Sequence, residues 1–290
     1  MSQYTLKFGD ATRAEMYPDE EADLILFDPP YFPEIHKYSQ RLHHKNKTTK
    51  KWTQPKKKLK PIITPMTHTA FYSFWRGVCW EAMKRLKPQG WYLYKCDDTT
   101  LQRICWITEQ YYQFFHKNII WDKTNYGLGT IIRNAHELIS VYRSIEFKHS
   151  YCLNPCNFSS VLPAVDIPQS YAKESLDKFA WTIECLNLNR GRFDKKVQME
   201  QINQTPLGVW IPIIDQFCPP DGLVLDPTMG SGSIALAVKY LNNHGAHRRY
   251  WGIELDREFF QLAKRNVNPD TCLTKLKMNA KQTMLTELTQ

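Results

Sequence analysis

A short apolar run, a glycine-rich turn and the start of a helix follow one another in Leu223-Val224-Leu225-Asp226-Pro227-Thr228-Met229-Gly230-Ser231-Gly232-Ser233. The apolar run has the length of a buried strand, and a helical pattern begins at Ile234. Strand, turn and helix in this order form the first half of a nucleotide-binding βαβ unit. The segment therefore predicts an α/β fold with a ligand site at the turn.

The turn has features that favour a ribonucleoside ligand. Gly230 and Gly232 allow a close backbone approach to the ligand, and the following helix offers unpaired N–H groups at its start. The next predicted strand, Tyr250–Ile253, ends in Glu254, where an acidic side chain can accept hydrogen bonds from both ribose hydroxyls. The third glycine of the dinucleotide fingerprint is missing, so a dinucleotide is not predicted.

A second motif, Asp28-Pro29-Pro30-Tyr31, stands at the end of the apolar run Ala22–Phe27. Prolines have fixed φ angles and lack an N–H, so they hold the carbonyls at the end of the strand beside one carboxylate and one aromatic ring. An exocyclic amine on a planar base needs acceptors for two N–H groups and a face for stacking. The motif therefore predicts a site for such a base, with a Pro-rich turn as the plainer alternative.

The two motifs are expected to lie together. Ligands of open α/β sheets bind at the carboxyl ends of strands, where the strand order reverses. We therefore predict that the strands before Asp28 and Asp226 are neighbours in one sheet, so that both motifs line one cleft.

Alternating apolar runs and helical patterns predict a mostly parallel, seven-stranded sheet with helices on both faces. The predicted strands are Tyr4–Phe8, Ala22–Phe27, Trp91–Lys95, Asn118–Trp121, Glu137–Tyr142, Leu223–Leu225 and Tyr250–Ile253. Predicted helices include Met66–Leu86 and Thr100–Phe115, and the pattern resumes at Leu207–Phe217. We divide the chain into a catalytic part (1–144) with a basic loop (33–65), a small polar insert (145–203), a cofactor part (204–270) and a C-terminal tail (271–290).

Positive charge is concentrated directly after the Asp28 motif. The formal net charge of the chain is +9, and residues 36–60 alone contribute +10, so the remaining residues together carry −1. With Tyr38 and Trp52 interleaved, this segment favours a phosphate-binding flap over a merely solvated loop. The nucleic-acid-binding residues that we predict here are Lys45, Lys47, Lys50, Lys51, Lys56, Lys57 and Lys58.

Composition excludes several classes of protein. No stretch approaches the roughly 18 apolar residues of a membrane span, and no signal-peptide pattern is present, so we expect a cytoplasmic protein. The eight cysteines are scattered, as buried thiols of a reducing compartment are. A zinc site from His149, Cys152, Cys156 and Cys185 fits no standard spacing, and no metal is predicted.

With these motifs in this order, the chain resembles the beta group of DNA amino-methyltransferases, which methylate adenine N6 or cytosine N4. The likeness covers most of residues 4–267 and includes Gly9-Asp10, Arg85-Leu86-Lys87-Pro88-Gln89-Gly90, Ile120-Trp121-Asp122-Lys123 and Asn134-Ala135-His136-Glu137. The resemblance implies S-adenosylmethionine as cofactor, double-stranded DNA as substrate, and residues 145–203 as the target-recognition insert. It also implies a prokaryotic or phage-encoded enzyme of a restriction–modification system. Dimerisation is common in the family, so a homodimer is a further expectation.

The resemblance assigns roles residue by residue. It makes Asp28, Pro29, Pro30 and Tyr31 catalytic. It places Asp10 near the adenine of the cofactor and extends the cofactor site to Asp226, Thr228, Met229, Gly230, Ser231, Gly232, Glu254 and Thr205. Two departures concern the cofactor side: Thr228 replaces the usual Phe, and Asn203-Gln204-Thr205-Pro206 is a reduced form of the family's His-Pro-Thr-x-Lys-Pro.

Asp28 favours adenine N6 as the methyl acceptor, because family members with Asp-Pro-Pro-Tyr are more often adenine enzymes and those with Ser-Pro-Pro-Tyr cytosine-N4 enzymes. Cytosine-N4 methylation and methylation of a structured RNA stay open. The departures at Thr228 and Asn203–Pro206 also leave open a catalytically silent, nucleic-acid-binding partner subunit, or a cleft that binds cofactor only once a partner or DNA orders it.

Overall fold

The central strand of the protein, Ala22–Phe27, sends alternate side chains to opposite faces of a sheet. Leu24 and Leu26 enter one apolar core, whereas Ile25 and Phe27 enter another. All four are fully buried, as expected for a strand covered on both sides. The computed structural model describes residues 3–33, 44–45, 52–53, 66–111, 114–122, 135–143, 151–153, 161–162, 205 and 207–267.

Within these residues the strands form one mixed sheet and a separate two-stranded ribbon. The strands are β1 (Tyr4–Phe8), β2 (Ala22–Phe27), β3 (His44–Lys45), β4 (Trp52–Thr53), β5 (Leu86–Cys96), β6 (Phe114–Asp122), β7 (His136–Arg143), β8 (Val161–Leu162), β9 (Leu223–Asp226) and β10 (Arg249–Glu254). The order in the sheet is β1-β10-β9-β2-β5-β7-β6-β8, and β3 pairs only with β4. Strand β7 runs antiparallel to both of its neighbours, and the other pairings in this sheet are parallel.

Helices cover both faces of the sheet. They are α1 (His68–Met83), α2 (Asp98–Tyr111), α3 (Leu207–Phe217), α4 (Ser233–Asn243) and α5 (Arg257–Val267), and a 3₁₀ turn spans Ala14–Met16. One core holds residues of α1 and α2, and the other holds residues of α3, α4 and α5. The predicted α/β class is confirmed: all seven predicted strands are present, and β8 adds a two-residue edge strand.

Two predicted boundaries were wrong. Phe114 and Phe115 were assigned to a helix, but both belong to β6, where they pair with Arg143 and Tyr142 of β7. Strand pairing that is distant in sequence overrides the local helical pattern here. Leu86, the predicted last residue of a helix, instead begins β5, which starts five residues before the predicted Trp91 and contains a bulge between Leu86 and Trp91.

Helix α1 is also shorter than the predicted Met66–Leu86. It begins after Thr67, whose hydroxyl accepts a hydrogen bond from the N–H of Ala70 at 3.2 Å and so caps the helix. No helix among the described residues is long and apolar enough to cross a membrane.

Several predictions lie largely outside the described residues. Of the basic segment only the short strands β3 and β4 are described, and of the insert only residues 151–153 and 161–162. The tail 271–290 also lies outside them, as do His149, Cys156 and Cys185 of the zinc set that fits no standard spacing. The proposed domain boundaries therefore stay predictions.

Candidate active site

The two sequence motifs meet at one edge of the sheet. Strands β2 and β9 are parallel neighbours, with Leu24 opposite Val224 and Ile25 opposite Leu225. Neighbouring strands are about 4.7–4.9 Å apart, so Asp28 after β2 and the glycine turn after β9 leave the same edge side by side. The predicted pairing is confirmed, although 200 positions separate Ile25 from Leu225 along the chain. The strand order also reverses here, as expected for a ligand cleft.

The carboxylate of Asp28 is held at both oxygens. Its Oδ2 accepts a hydrogen bond from the hydroxyl of Thr205 at 2.7 Å, and its Oδ1 lies 3.1 Å from the ammonium of Lys95. About a quarter of the side chain stays exposed (26%), so the carboxylate is fixed in place and still reachable from the cleft. The prediction had placed Thr205 at the cofactor; among the described residues the contact of its hydroxyl is with the proposed catalytic acid.

Lys95 and Glu137 complete a charged cluster behind Asp28. The Lys95 ammonium donates to Glu137 Oε2 and to the hydroxyl of Tyr31, both at 2.5 Å, and that hydroxyl donates to Glu137 Oε2 at 2.8 Å. Lys95 ends the apolar part of β5 and is almost completely buried (5% exposed). Sequence reasoning did not select either residue. The usable signal was a lysine that closes a buried strand, since buried lysines are paired.

The burial of this cluster and the charges within it shift the pKa values of its members. Burial raises the pKa of Asp28, while the Lys95 charge and the Thr205 hydrogen bond oppose that rise. For Lys95, burial alone would lower the pKa, but the carboxylates of Asp28 and Glu137 outweigh it and leave the pKa raised, so the ammonium is charged. Burial and the neighbouring carboxylates raise the pKa of Tyr31, which therefore stays a neutral phenol.

The remaining residues of the tetrapeptide are set by packing. Pro29 is buried, Pro30 is half-buried, and Phe32 directly after the motif is fully buried. The N–H of Phe32 donates to the hydroxyl of Thr100 in α2 at 2.9 Å. Helix α2 thus fixes the chain where it leaves the motif.

The glycine turn after β9 adopts a conformation that requires glycine. Gly230 and Gly232 have φ angles of 54° and 84°, in the left-handed region that other residues rarely adopt. A Cβ on Gly232 would also lie 3.2 Å from the Cβ of Ala263, so this position lets α5 approach the turn. Of the predicted cofactor residues in the turn, Met229 and Ser231 are buried, and the Ser231 carbonyl accepts from Asn266 at 2.9 Å.

Glu254 ties the turn to the next strand. Its Oε2 accepts from the N–H of Gly230 at 2.7 Å, and its Oε1 accepts from the N–H of Asp256 at 2.7 Å. Each carboxylate oxygen has a second lone pair, so hydrogen bonds to a ribose are still compatible with this arrangement. Asp10 follows the neighbouring strand β1, whose Phe8 pairs with Glu254, and its Oδ1 accepts from the N–H and hydroxyl of Thr12.

Asp226 and Thr228 lie in the wall under the turn. The fully buried Asp226 carboxylate accepts from the Tyr250 hydroxyl at 2.7 Å and from the Thr228 N–H at 3.2 Å. Burial raises its pKa to about 8, partly opposed by those two hydrogen bonds, and the charges of Glu254 and Asp28 add to the rise.

The donor set fits S-adenosylmethionine. Within the described residues, the buried Thr228 hydroxyl has no hydrogen-bond partner, which leaves it for a polar group of a ligand. The acids at this edge (Asp10, Asp28, Asp226, Glu254) suit a cofactor that carries a positive sulfonium. Of the predicted DNA-binding lysines, Lys45 belongs to β3, and Lys47, Lys50, Lys51, Lys56, Lys57 and Lys58 lie outside the described residues.

This fold, with a nucleoside turn and an Asp-Pro-Pro-Tyr motif in one cleft, defines an S-adenosylmethionine-dependent amino-methyltransferase. A family model described as DNA methylase, for enzymes of the N6 and N4 type, matches residues 22–265. The chain therefore belongs to this DNA methylase family, and S-adenosylmethionine is its cofactor.

Curated relatives agree with the family. The chain is 23% identical over 270 residues to the type II methyltransferase M.HinfI of Haemophilus influenzae, covering 91% of this chain and 68% of that protein. It is 37% identical to the type II methyltransferase M2.MboI of Moraxella bovis, but only over 81 residues and 28% of each chain.

Solved structures share the fold. The M1.HpyAVI–SAM complex aligns with a TM-score of 0.58 and 17% identity, over 91% of this chain and 99% of that one. The cytosine-N4-specific PvuII DNA methyltransferase aligns with a TM-score of 0.57 and 14% identity, over 96% and 92%. At these identities the similarity establishes the architecture alone.

Proposed function

We propose that this DNA methylase transfers a methyl group from S-adenosylmethionine to the N6 amine of adenine in double-stranded DNA. The observation that carries the proposal is the position of Asp28, whose partly exposed carboxylate leaves the sheet beside the glycine turn. Asp28 is also the residue by which the sequence favours adenine over cytosine. Pro29, Pro30 and Tyr31 keep their predicted catalytic roles in this proposal.

The acceptor amine is a weak nucleophile because its lone pair is delocalised into the base. Asp28 and the carbonyl of Pro29 each accept one N–H, which draws the nitrogen towards tetrahedral geometry and localises the lone pair. Tyr31 stacks on the base and sets its angle. Catalysis is then mostly positioning and preorganised charge, with Asp28 polarising the amine rather than acting as a strong base.

Bound S-adenosylmethionine supplies an electrophilic methyl group on a positively charged sulfur. The amine, held by Asp28 and the Pro29 carbonyl, would accept this methyl group, and the electron pair of the C–S bond would stay on the sulfur of the cofactor. The methylated nitrogen then carries the positive charge and releases one proton to Asp28 or to water. In this proposal Glu254 binds the ribose, Asp10 approaches the adenine of the cofactor, and Thr228 with the turn 229–232 lines the remainder.

A paired adenine must leave the duplex to reach this cleft. Extrusion costs on the order of a few kcal/mol, and stacking on an aromatic ring returns about 1–3 kcal/mol per base. We expect the lysines of the basic segment to supply much of the rest through phosphate contacts. Replacing Lys56, Lys57 and Lys58 by Gln is then expected to weaken binding of all sequences alike and to flatten its salt dependence.

The experiment is methyl transfer from labelled S-adenosylmethionine to duplex DNA and to structured RNA in parallel, followed by mass spectrometry of the nucleosides. N6-methyladenine in DNA supports the proposal. N4-methylcytosine would reassign the base, and methylated RNA without methylated DNA would reassign the polymer. Binding of DNA without detectable cofactor affinity by calorimetry would favour the silent partner subunit. Sedimentation in the same buffer tests the expected homodimer.

A further inference from the structure

The reaction described above leaves one deeply buried charge of the site, the ammonium of Lys95, without a task. Lys95 lies behind Asp28, and its ammonium contacts Asp28, Glu137 and Tyr31 within 3.1 Å. A lysine with only 5% of its side chain exposed has given up most of its hydration. A buried ion cluster that serves stability alone can often be replaced as a whole by apolar residues of similar volume without loss of stability.

We propose that Lys95, braced by Glu137, is the positioning residue of the active site and holds the Asp28 carboxylate and the Tyr31 ring in the arrangement that receives the flipped base. The proposal rests on the proposed amine methylation and deepens it. One cation would fix both the positions of the Asp28 oxygens that accept hydrogen bonds from the amine and the orientation of the Tyr31 ring that stacks on the base.

The Asp28 carboxylate depends on the charge of Lys95. This carboxylate interacts electrostatically with Lys95 from β5, Glu137 from β7, Tyr31 from its own segment and Asp226 from β9. The ammonium is the only positive charge among these groups. Without it, burial and the neighbouring carboxylates would favour the protonated acid, which presents an O–H where the amine needs an acceptor. Lys95 therefore keeps Asp28 able to accept.

The ring of Tyr31 is also held by Lys95. The ammonium lies 2.5 Å from the phenolic oxygen and 4.9 Å from the centre of the ring, so it contacts the ring at its hydroxyl end rather than over a face. The same hydroxyl donates to Glu137 at 2.8 Å. Two charged partners at the hydroxyl fix the plane of the ring, and stacking on its face is compatible with both.

The chain contains a matched control on the same strand. Lys87 pairs with Asp23 at 2.7 Å at the opposite end of β5 and β2, and 40% of its side chain is exposed. Lys87→Met thus removes the same kind of ion pair from the same two strands, away from the cleft.

The test compares Lys95→Met, Lys95→Arg, Glu137→Gln and Lys87→Met by the single-turnover rate of methyl transfer between pH 5.5 and 9.5. For Lys95→Met we expect a rate about 30–100-fold lower at neutral pH and an acid limb shifted to higher pH by about one unit or more, so that the loss shrinks as pH rises. Glu137→Gln removes a negative charge and should shift the acid limb to lower pH. Lys95→Arg should restore the position of the limb in part, and Lys87→Met should keep the wild-type profile.

Opposite shifts for Lys95→Met and Glu137→Gln would support the proposal, since a merely structural defect lowers the rate equally at every pH. Unshifted profiles for both variants would overturn it. Thermal unfolding and cofactor binding verify that each variant is folded; if Lys95→Met does not fold, the profiles of Lys95→Arg and Glu137→Gln decide. If neither the wild-type protein nor Lys87→Met methylates any nucleic acid, that result instead refutes the proposed function.

Discussion

Strands β2 and β5 carry an aspartate–lysine pair at each end, and the two pairs are built in opposite ways. At the amino end Asp23 is mostly buried (13% exposed) and Lys87 is exposed, whereas at the carboxyl end Lys95 is buried and Asp28 is accessible. Asp23 also accepts the N–H of Leu223 at 2.9 Å, so it joins β2 to β9. Where the aspartate is the buried partner, the ion pair joins strands of the scaffold. Where the lysine is the buried partner, the aspartate stays accessible and can bind a ligand.

The largest effect that separates the two ends is expected for the aspartates. Asp28→Ala should lower the methyl-transfer rate about 10²–10³-fold, because it removes a preorganised acceptor for the amine. Its affinity for DNA should change little. The measurements are single-turnover rates and filter-binding affinities.

Asp23→Ala is the matched control for that prediction. It should cost about 1–3 kcal/mol of stability, because the N–H of Leu223 loses its partner, and leave the rate of the folded enzyme unchanged. A rate loss for Asp23→Ala as large as that for Asp28→Ala would erase the distinction between the two ends.

Strand β10 allows the same comparison on the cofactor side. Glu254→Ala at its carboxyl end should raise the KM for S-adenosylmethionine about tenfold to a hundredfold, since hydrogen bonds to a charged group contribute about 1.5–3 kcal/mol. Asp215→Asn weakens the pair with the buried Arg248 just before β10, at 2.9 Å. It should lower the unfolding temperature without affecting this KM. An unchanged KM for Glu254→Ala would remove its ribose role.

The raised pKa of Asp226, about 8, predicts that both stability and cofactor affinity depend on pH. The neutral acid is favoured in the folded protein, so stability of the cofactor-free protein should fall as pH rises from about 4 through about 8. A cationic cofactor favours the ionised acid, so its affinity should increase over the upper part of that range, about tenfold between pH 6.5 and 8.5. Calorimetry at several pH values measures both trends, and Asp226→Asn should flatten them.

The smallest expected effect distinguishes two roles of Thr205. Thr205→Val removes the hydroxyl that donates to Asp28 and should lower the methyl-transfer rate about fivefold to tenfold, because one hydrogen bond contributes about 1 kcal/mol net. The KM for the cofactor should stay within about a factor of two. A raised KM with an unchanged rate would return Thr205 to the cofactor site that the sequence suggested.

The sequence predicted those features that depend on local pattern. Apolar runs predicted the positions of the strands. The residues just after Phe27 and Leu225 were then predicted to line one cleft, because parallel strands of this fold present their carboxyl ends at one edge. Lys95 and Glu137 could not be found this way. Their meeting depends on β7 inserting antiparallel beside β5, with Lys95 opposite Ile139, and nothing near either residue in sequence specifies that register.

Thr205 shows a second limit, in the resemblance itself. A reduced family motif assigned Thr205 to the cofactor, whereas in the structure Thr205 is buried and its hydroxyl contacts Asp28, the acid of the other motif. Phe114 and Phe115 show a third limit of sequence-based prediction. Their local pattern suits a helix, but pairing with Arg143 and Tyr142 places them in a strand.

The pairing of β1 with β10 has a consequence for circular permutation of the chain. Helix α5 follows β10 and touches β1, with the rings of Phe8 and Phe260 5.5 Å apart, so it lies where the crossover helix of a β10–α5–β1 unit would lie. A short peptide joining Val267 to Gln3 would make that unit continuous. A circularly permuted protein with this connection and new termini elsewhere should therefore form the same sheet. Folding then does not require the order in which the Asp28 motif and the glycine turn occur along the chain.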